Sequence, residues 1–299
     1  MTPDKRTKLA LDESRTLMLG AQILLGFEFQ GPFQTAFSSL PLAAKLIYTM
    51  ALCLMVVVVG LLIAPSAYHR IVERGAAGPR IDRIITRAAE ITLAPFATAM
   101  ALDLAIAAQV IGGMLAAVGA GILGFVLALG FWYGPMLFMT KKNNQGATMH
   151  DTSTETKIEF AMTESRIVLP GAQALLGIQL AIVVTQSFAA MSQLDKALHG
   201  VALASIAIST VLLMTPAAYH RIVYAGEAVP AFYDVASRLV LAATAFLAIG
   251  LAVEMYVVVG KITGSPFAGI VAGAISMMTL VGLWHVWPMF QRRRRGLQP

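Results

Sequence analysis

Apolar residues in this sequence fall into eight long runs, at 17–37, 42–64, 87–111, 114–138, 168–188, 197–215, 238–260 and 267–289. A hydrocarbon layer about 30 Å thick is crossed by roughly 20 apolar residues in a helix, or by about 9–11 in a tilted barrel strand. Backbone polar groups in lipid must be satisfied within the protein, which leaves helices or closed barrels. The runs show no period-two alternation and are too long for barrel strands. They predict an all-α integral membrane fold with eight transmembrane helices. The first run is not read as a cleaved signal peptide, because its copy in the second half of the chain is internal.

That copy is part of a duplication. Shifted by 151 residues, the sequence matches itself: Glu13-Ser14-Arg15 falls on Glu164-Ser165-Arg166, and Gly20-Ala21-Gln22 on Gly171-Ala172-Gln173. Pro65 and Ala67-Tyr68-His69-Arg70-Ile71-Val72 fall on Pro216 and Ala218-Tyr219-His220-Arg221-Ile222-Val223, and Asp103 falls on Glu254. The register slips only in the last run, where Pro135 matches Pro288. A fixed period of this kind is read as tandem structural units. The units are a first four-helix repeat at 1–139, a polar linker at 140–161, and a second four-helix repeat with a basic tail at 162–299. An even number of spans per unit makes the repeats parallel, related by a pseudo-two-fold axis along the membrane normal.

The polar positions orient the spans. Of the 22 Lys and Arg, all but Lys45, Lys196 and Lys261 lie in 1–16, 65–87, 140–167, 216–238 and 290–299. Positive charge marks the cytoplasmic side of short loops. Both termini are therefore expected in the cytoplasm, with the chain in a bacterial inner membrane. The composition agrees, at 58% hydrophobic and 13% charged residues against about 25% charged for soluble domains. The net charge of +6 becomes a topology signal and not a nucleic-acid footprint. The Arg292–Arg295 run is expected at anionic lipid head groups. One cysteine, Cys53, excludes an internal disulfide and a Cys-rich zinc site.

The run Gly-Ala-Gln-x-Leu-Leu-Gly after Glu-Ser-Arg, with Pro-x-Ala-Tyr-His-Arg closing the second span, resembles a bacterial membrane family of unknown function whose members are often labelled sodium:proton antiporters. The resemblance covers the first two spans of each repeat well and the last two in pattern only. Members of that family usually look like one four-helix unit, and this chain carries two. The resemblance implies cation:proton exchange but brings no assigned ion-binding residues.

Ionisable residues inside a span cost roughly 2.5–3.5 kcal/mol each at mid-membrane and call for a reason. Glu28 is the deepest, about 16 Å into its helix at 1.5 Å per residue. Pro32, four residues on, cannot bond to the Glu28 carbonyl, so one residue offers a carboxylate and a freed carbonyl oxygen to a cation or proton. The bland alternative is a helix that ends there. Asp103 and Glu254 share one position in the two repeats, each with a small residue one turn earlier, Ala99 and Gly250, which admits a neighbouring helix. They are either ion-binding or turned to the outer interface. Tyr68, His69, Arg70 and their copies Tyr219, His220, Arg221 are read as a cytoplasmic-interface motif, anchor or proton sensor. A bis-histidine haem ranks below both, and no cofactor or metal is expected. His285, between Trp284 and Trp287, reads as part of an aromatic belt. Gln22 and Gln173 read as inter-helix hydrogen-bonding residues, and the small residues Ala116, Ala120, Gly124, Gly269 and Gly273 as close-packing stripes.

No phosphate loop, nucleophile elbow or His-Glu-x-x-His occurs, so no enzyme is expected. Two functions remain, a monovalent cation:proton exchanger using Glu28, Asp103 and Glu254, and a non-transporting membrane scaffold or pH- or stress-responsive partner protein. The topology has a direct check. Single cysteines at Asn144 and Gly264, in a Cys53→Ala background, are expected to label from opposite sides of the membrane, and labelling of both from outside refutes eight spans.

Overall fold

The computed structural model describes residues 3–138, 153–222 and 230–295. Among them all regular structure is helical: α1 (Pro3–Gln30), α2 (Leu42–Ile71), α3 (Pro79–Phe138), α4 (Thr154–Val183), α5 (Gln186–Ala189), α6 (Gln193–Ile222), α7 (Pro230–Thr263), α8 (Pro266–Val281) and α9 (Trp287–Arg294). Short 3-10 turns at Gly31–Phe33 and Thr35–Ser39 follow α1, and a five-residue π turn, Gly282–Val286, joins α8 to α9. Six described segments are long and apolar enough to cross a membrane: Leu42–Ile71, Pro79–Gly130, Thr156–Val183, Gln193–Ala217, Pro230–Thr263 and Pro266–Arg294.

That is fewer than the eight predicted runs, for two reasons. The run 17–37 does not continue as one helix: α1 stops at Gln30, and Pro32, lacking an N–H, sits in the first turn of the 3-10 helix that follows. The runs 87–111 and 114–138 share the single segment α3. That segment nevertheless turns back on itself at Gly113, whose φ of 76° and ψ of −168° are non-helical. A Cβ on Gly121 would lie 3.2 Å from the Ala105 Cβ, and one on Gly124 would strike Leu104. Farther out, Phe96 stacks on Trp132 at 5.6 Å, and Tyr133 donates its hydroxyl to the Glu90 carbonyl. Gly264, 151 residues after Gly113, also has positive φ, 65°, and there α7 gives way to α8. Glycine tolerates that conformation without a Cβ clash. Ser265 then caps α8 by accepting the Ala268 N–H, and Pro266 fills its first turn.

Other contacts recur with the same offset. Lys45 donates to the Ser38 carbonyl at 3.0 Å, and Lys196 to the Ala189 carbonyl at 2.7 Å. Phe37 meets Tyr48 edge-on at 5.1 Å, and Phe188 meets His199 in the same way at 5.1 Å. The two α1-type helices, α1 and α4, pack together. Gly171 lies against the Gln22 side chain and Gly26 against Leu175 and Ile178, so the helices run in the same direction at matching heights. The predicted linker 140–161 lies outside the described residues as far as 152. Its end belongs to α4, which begins at Thr154 with Ser153 accepting the Thr156 N–H.

The register slip before Pro288, two residues in all, includes the π turn, which holds more residues per turn than an α-helix and takes up one of them without a loop. That turn buries Trp284, whose indole donates to the Gly60 carbonyl on α2 at 2.8 Å, so Trp284 is an inter-repeat tie and not a belt residue. Among the described residues the 114–138 arm shows no such tie, and around its turn Ile111 and Leu115 are each 88% exposed, as side chains facing lipid would be.

The glycine stripe on α8 is used for backbone contact. A Cβ on Gly269 would come within 2.6 Å of the Tyr256 carbonyl, and one on Gly273 within 2.9 Å of that of Ala252. Backbone cannot step aside as a flexible side chain can. Gly269→Val is expected to destabilise the protein by about 1–3 kcal/mol through overpacking. Gly200→Ala, where no atom lies within 4 Å, is expected to be neutral or to stabilise by up to about 1 kcal/mol. Unfolding in detergent compares the two, and equal effects would remove the packing argument.

Candidate functional site

At the end of α1 Glu28 is 3% exposed, and its nearest acidic neighbour is Asp103 on α3, close enough for the two carboxyls to interact electrostatically. Tyr48 of α2 donates its hydroxyl to the Glu28 backbone carbonyl at 2.7 Å. The carbonyl expected to be free for a cation is therefore taken by Tyr48. Both Glu28 carboxyl oxygens and Asp103 Oδ2 are buried without a hydrogen-bond donor among the described residues. Two carboxylates in contact repel, and the arrangement closes only with a shared proton or a small cation between them.

The second repeat carries different chemistry at the same address. Glu254 of α7 and His199 of α6 are both fully buried, with His199 Nδ1 3.0 Å from Glu254 Oε2 and 3.2 Å from Oε1. His199 Nε2 lies 3.2 Å from the Gln179 carbonyl. His199 aligns with Tyr48, Glu254 with Asp103, and Gln179 with Glu28. In each repeat the residue on the second long helix thus bonds to the carbonyl of the aligned residue on the first. Gly250 supplies the close approach expected of it, since a Cβ there would strike Ile206 and lie 3.1 Å from the Ala202 carbonyl of α6. Glu254 faces inward and does not reach for the interface.

A third cluster joins the repeats. His69 Nδ1 is 2.5 Å from Glu164 Oε1, and Arg70 Nη2 is 2.6 Å from Glu164 Oε2. Arg70 also donates to the Ala161 carbonyl at 3.1 Å, and His69 Nε2 faces the Ala76 carbonyl at 3.2 Å. All three side chains are buried. Tyr68 is buried too, stacked on Trp287 at 5.1 Å, its hydroxyl accepting from Arg295 Nη2 at 2.7 Å. In the first repeat the Tyr-His-Arg motif is thus an inter-repeat clamp, not an exposed anchor at head groups. Arg295 turns inward to pair with Glu73 at 3.0 Å, whereas Arg293 and Arg294 are exposed. His220 packs on the Phe232 ring at 4.6 Å. The side chains of Tyr219, Arg221 and Glu13 lie outside the described residues.

Sequence reasoning missed His199, Tyr48 and the role of Glu164. The 151-residue shift places a histidine opposite a tyrosine at 199 and 48, and that mismatch was the available signal. Glu164 was legible only as a marker of the repeat. Gln22 was expected to bridge helices, but its buried amide has no hydrogen-bond partner among the described residues and packs on Gly171. Gln173 reaches only the Met214 sulfur, at 4.0 Å. The described residues hold no group of three or more His, Cys, Asp or Glu able to bind a metal.

Fold and clusters together define an internally duplicated helical protein with membrane-compatible segments and an acid at the same position of each repeat, half-buried at Asp103 and buried at Glu254. The chain belongs to a family of unknown function (DUF6328), whose profile matches residues 3–135 and again 154–288. The double match establishes two tandem repeats and assigns no activity. No curated protein and no solved structure matches the chain.

Removing one member of a buried ion pair leaves its partners uncompensated, which costs roughly 3–5 kcal/mol. Glu164→Gln is expected to destabilise the protein by that amount, measured by unfolding in detergent. A loss below about 1 kcal/mol, the size of an exposed pair, would show that the clamp does not hold the repeats together.

Proposed function

We propose that the protein is a secondary transporter exchanging a monovalent cation for protons. In this reading it crosses a bacterial inner membrane eight times, as two parallel four-helix repeats with both termini in the cytoplasm. The doubling back at Gly113 and the α7–α8 turn at Gly264 support four crossings per repeat, with α1 and the 114–138 arm completing the eight. The observation that carries the transport reading is the pairing of buried Glu28 with half-buried Asp103, where both Glu28 oxygens and Asp103 Oδ2 lack donors among the described residues. A proton and a small cation compete for that space, and competition at one site is what exchange requires. Lipid is the surrounding partner in this reading, and of the Arg292–Arg295 run the exposed Arg293 and Arg294 suit anionic head groups. No catalytic chemistry is assigned to any residue.

The alternative, a non-transporting scaffold, draws on the clamp at Glu164, which ties the repeats into one rigid arrangement. Cation flux in proteoliposomes under an imposed pH gradient separates the two. Wild-type protein is expected to move Na⁺ or K⁺ against protons, and Glu28→Gln to lose that flux while keeping its gel-filtration profile. Wild-type protein that moves neither ion, or a Glu28→Gln variant that moves them equally well, would favour the scaffold.

A further inference from the structure

The two repeats keep one frame of contacts but differ in charge at its centre. In the first, the position on α2 is Tyr48, a neutral hydroxyl, the acids Glu28 and Asp103 are neighbours, and among the described residues no ion pair joins either to a cationic side chain. In the second, the same position on α6 is His199, Gln179 replaces one acid, and a single acid, Glu254, remains. Both partners of the imidazole, the Glu254 carboxylate and the Gln179 carbonyl, are acceptors. Either both ring nitrogens carry a proton, or Nε2–H donates to Gln179 while a protonated Glu254 donates to Nδ1. In both arrangements one proton lies between Nδ1 and the carboxyl, and the pair is neutral overall.

We propose that the His199–Glu254 pair is a closed proton site in which the imidazole, standing where Tyr48 stands in the first repeat, supplies the positive charge that an exchangeable cation or proton supplies at Glu28–Asp103. The second repeat thus holds an internally compensated copy of the ion site, and the first must take its compensating charge from solution. This rests on the exchanger reading for the Glu28–Asp103 half alone. Both ring nitrogens of His199 are already engaged, and aromatic rings pack against the imidazole. Phe188 lies edge-on at 5.1 Å and Phe33 at 6.4 Å, and among the described residues the titratable group bonded to the ring is Glu254 of α7. Lys261, farther along α7, is directed at the Phe33 ring at 5.2 Å and does not pair with Glu254. Exchange at one site per chain follows, although the fold supplies two equivalent positions.

The test uses the full chain in lipid nanodiscs with ¹⁵N-labelled histidine. One ring signal, absent in His199→Gln and shifted in Glu254→Gln, is expected to keep its protonation state between about pH 5 and pH 9, where an open histidine changes charge. It is also expected to be unaffected by added Na⁺ or K⁺. A His199 signal that titrates freely in that range, or moves with either cation, would overturn the proposal. A second measurement reads the compensation. His199→Tyr, which copies the first repeat, is expected to lower thermal stability, and adding Glu254→Gln is expected to restore most of the loss. Equal stability of the single and double variants counts against the pair. Neither readout depends on transport, so absence of flux with a silent, pH-insensitive His199 would sink the exchanger reading and leave the proton site standing.

Discussion

An ionised side chain inside an apolar helical bundle has to find its counter-charge among protein groups, because neither lipid nor water is there to solvate it. Much of this structure follows from that constraint. Glu164 sits between His69 and Arg70, Glu254 against His199, and Glu28 against Asp103. The first two acids meet cationic or proton-sharing partners and close as neutral or positive clusters. The third meets another acid. Three solutions to one electrostatic problem thus separate the parts of the molecule that hold it together from the part that is left incomplete.

Duplication makes the comparison sharp. The lysine-to-carbonyl bonds of Lys45 and Lys196, the edge-on rings of Phe37 and Phe188, and the positive-φ glycines Gly113 and Gly264 keep the same geometry in each repeat. These contacts are local or involve backbone, so they tolerate change elsewhere. The charged centre has diverged between the repeats. Divergence at a buried polar position needs a compensating change nearby, and the exchange of Tyr48 for His199 accompanies the loss of one of two acids. Asymmetry also appears at the last helix of each repeat. The π turn before α9 lets Trp284 reach Gly60 on α2, whereas the 114–138 arm packs on its own hairpin partner and leaves a broad apolar face open.

The sequence by itself determined the element type and the duplication, and pointed to lipid as the solvent. Long apolar runs without period two can only be helices in lipid, and a 151-residue self-match requires two like units. It also singled out Glu28, Asp103 and Glu254, because an acid in an apolar run stands out against its neighbours. Tertiary structure decided what those acids touch. Glu28 and Asp103 lie 75 positions apart, Glu254 and His199 are on different helices, and Glu164 finds His69 and Arg70 across the repeat boundary. No helical period relates residues so far apart, so their pairing is set by how helices pack and not by spacing along one of them. Likewise Pro32 announced a break in α1, but only the approach of α2 assigned the freed carbonyl to Tyr48. The Tyr-His-Arg motif shows the same limit: its residue types suit a membrane interface, and the fold turned the copy at 68–70 inward because the other repeat placed a buried carboxylate opposite it.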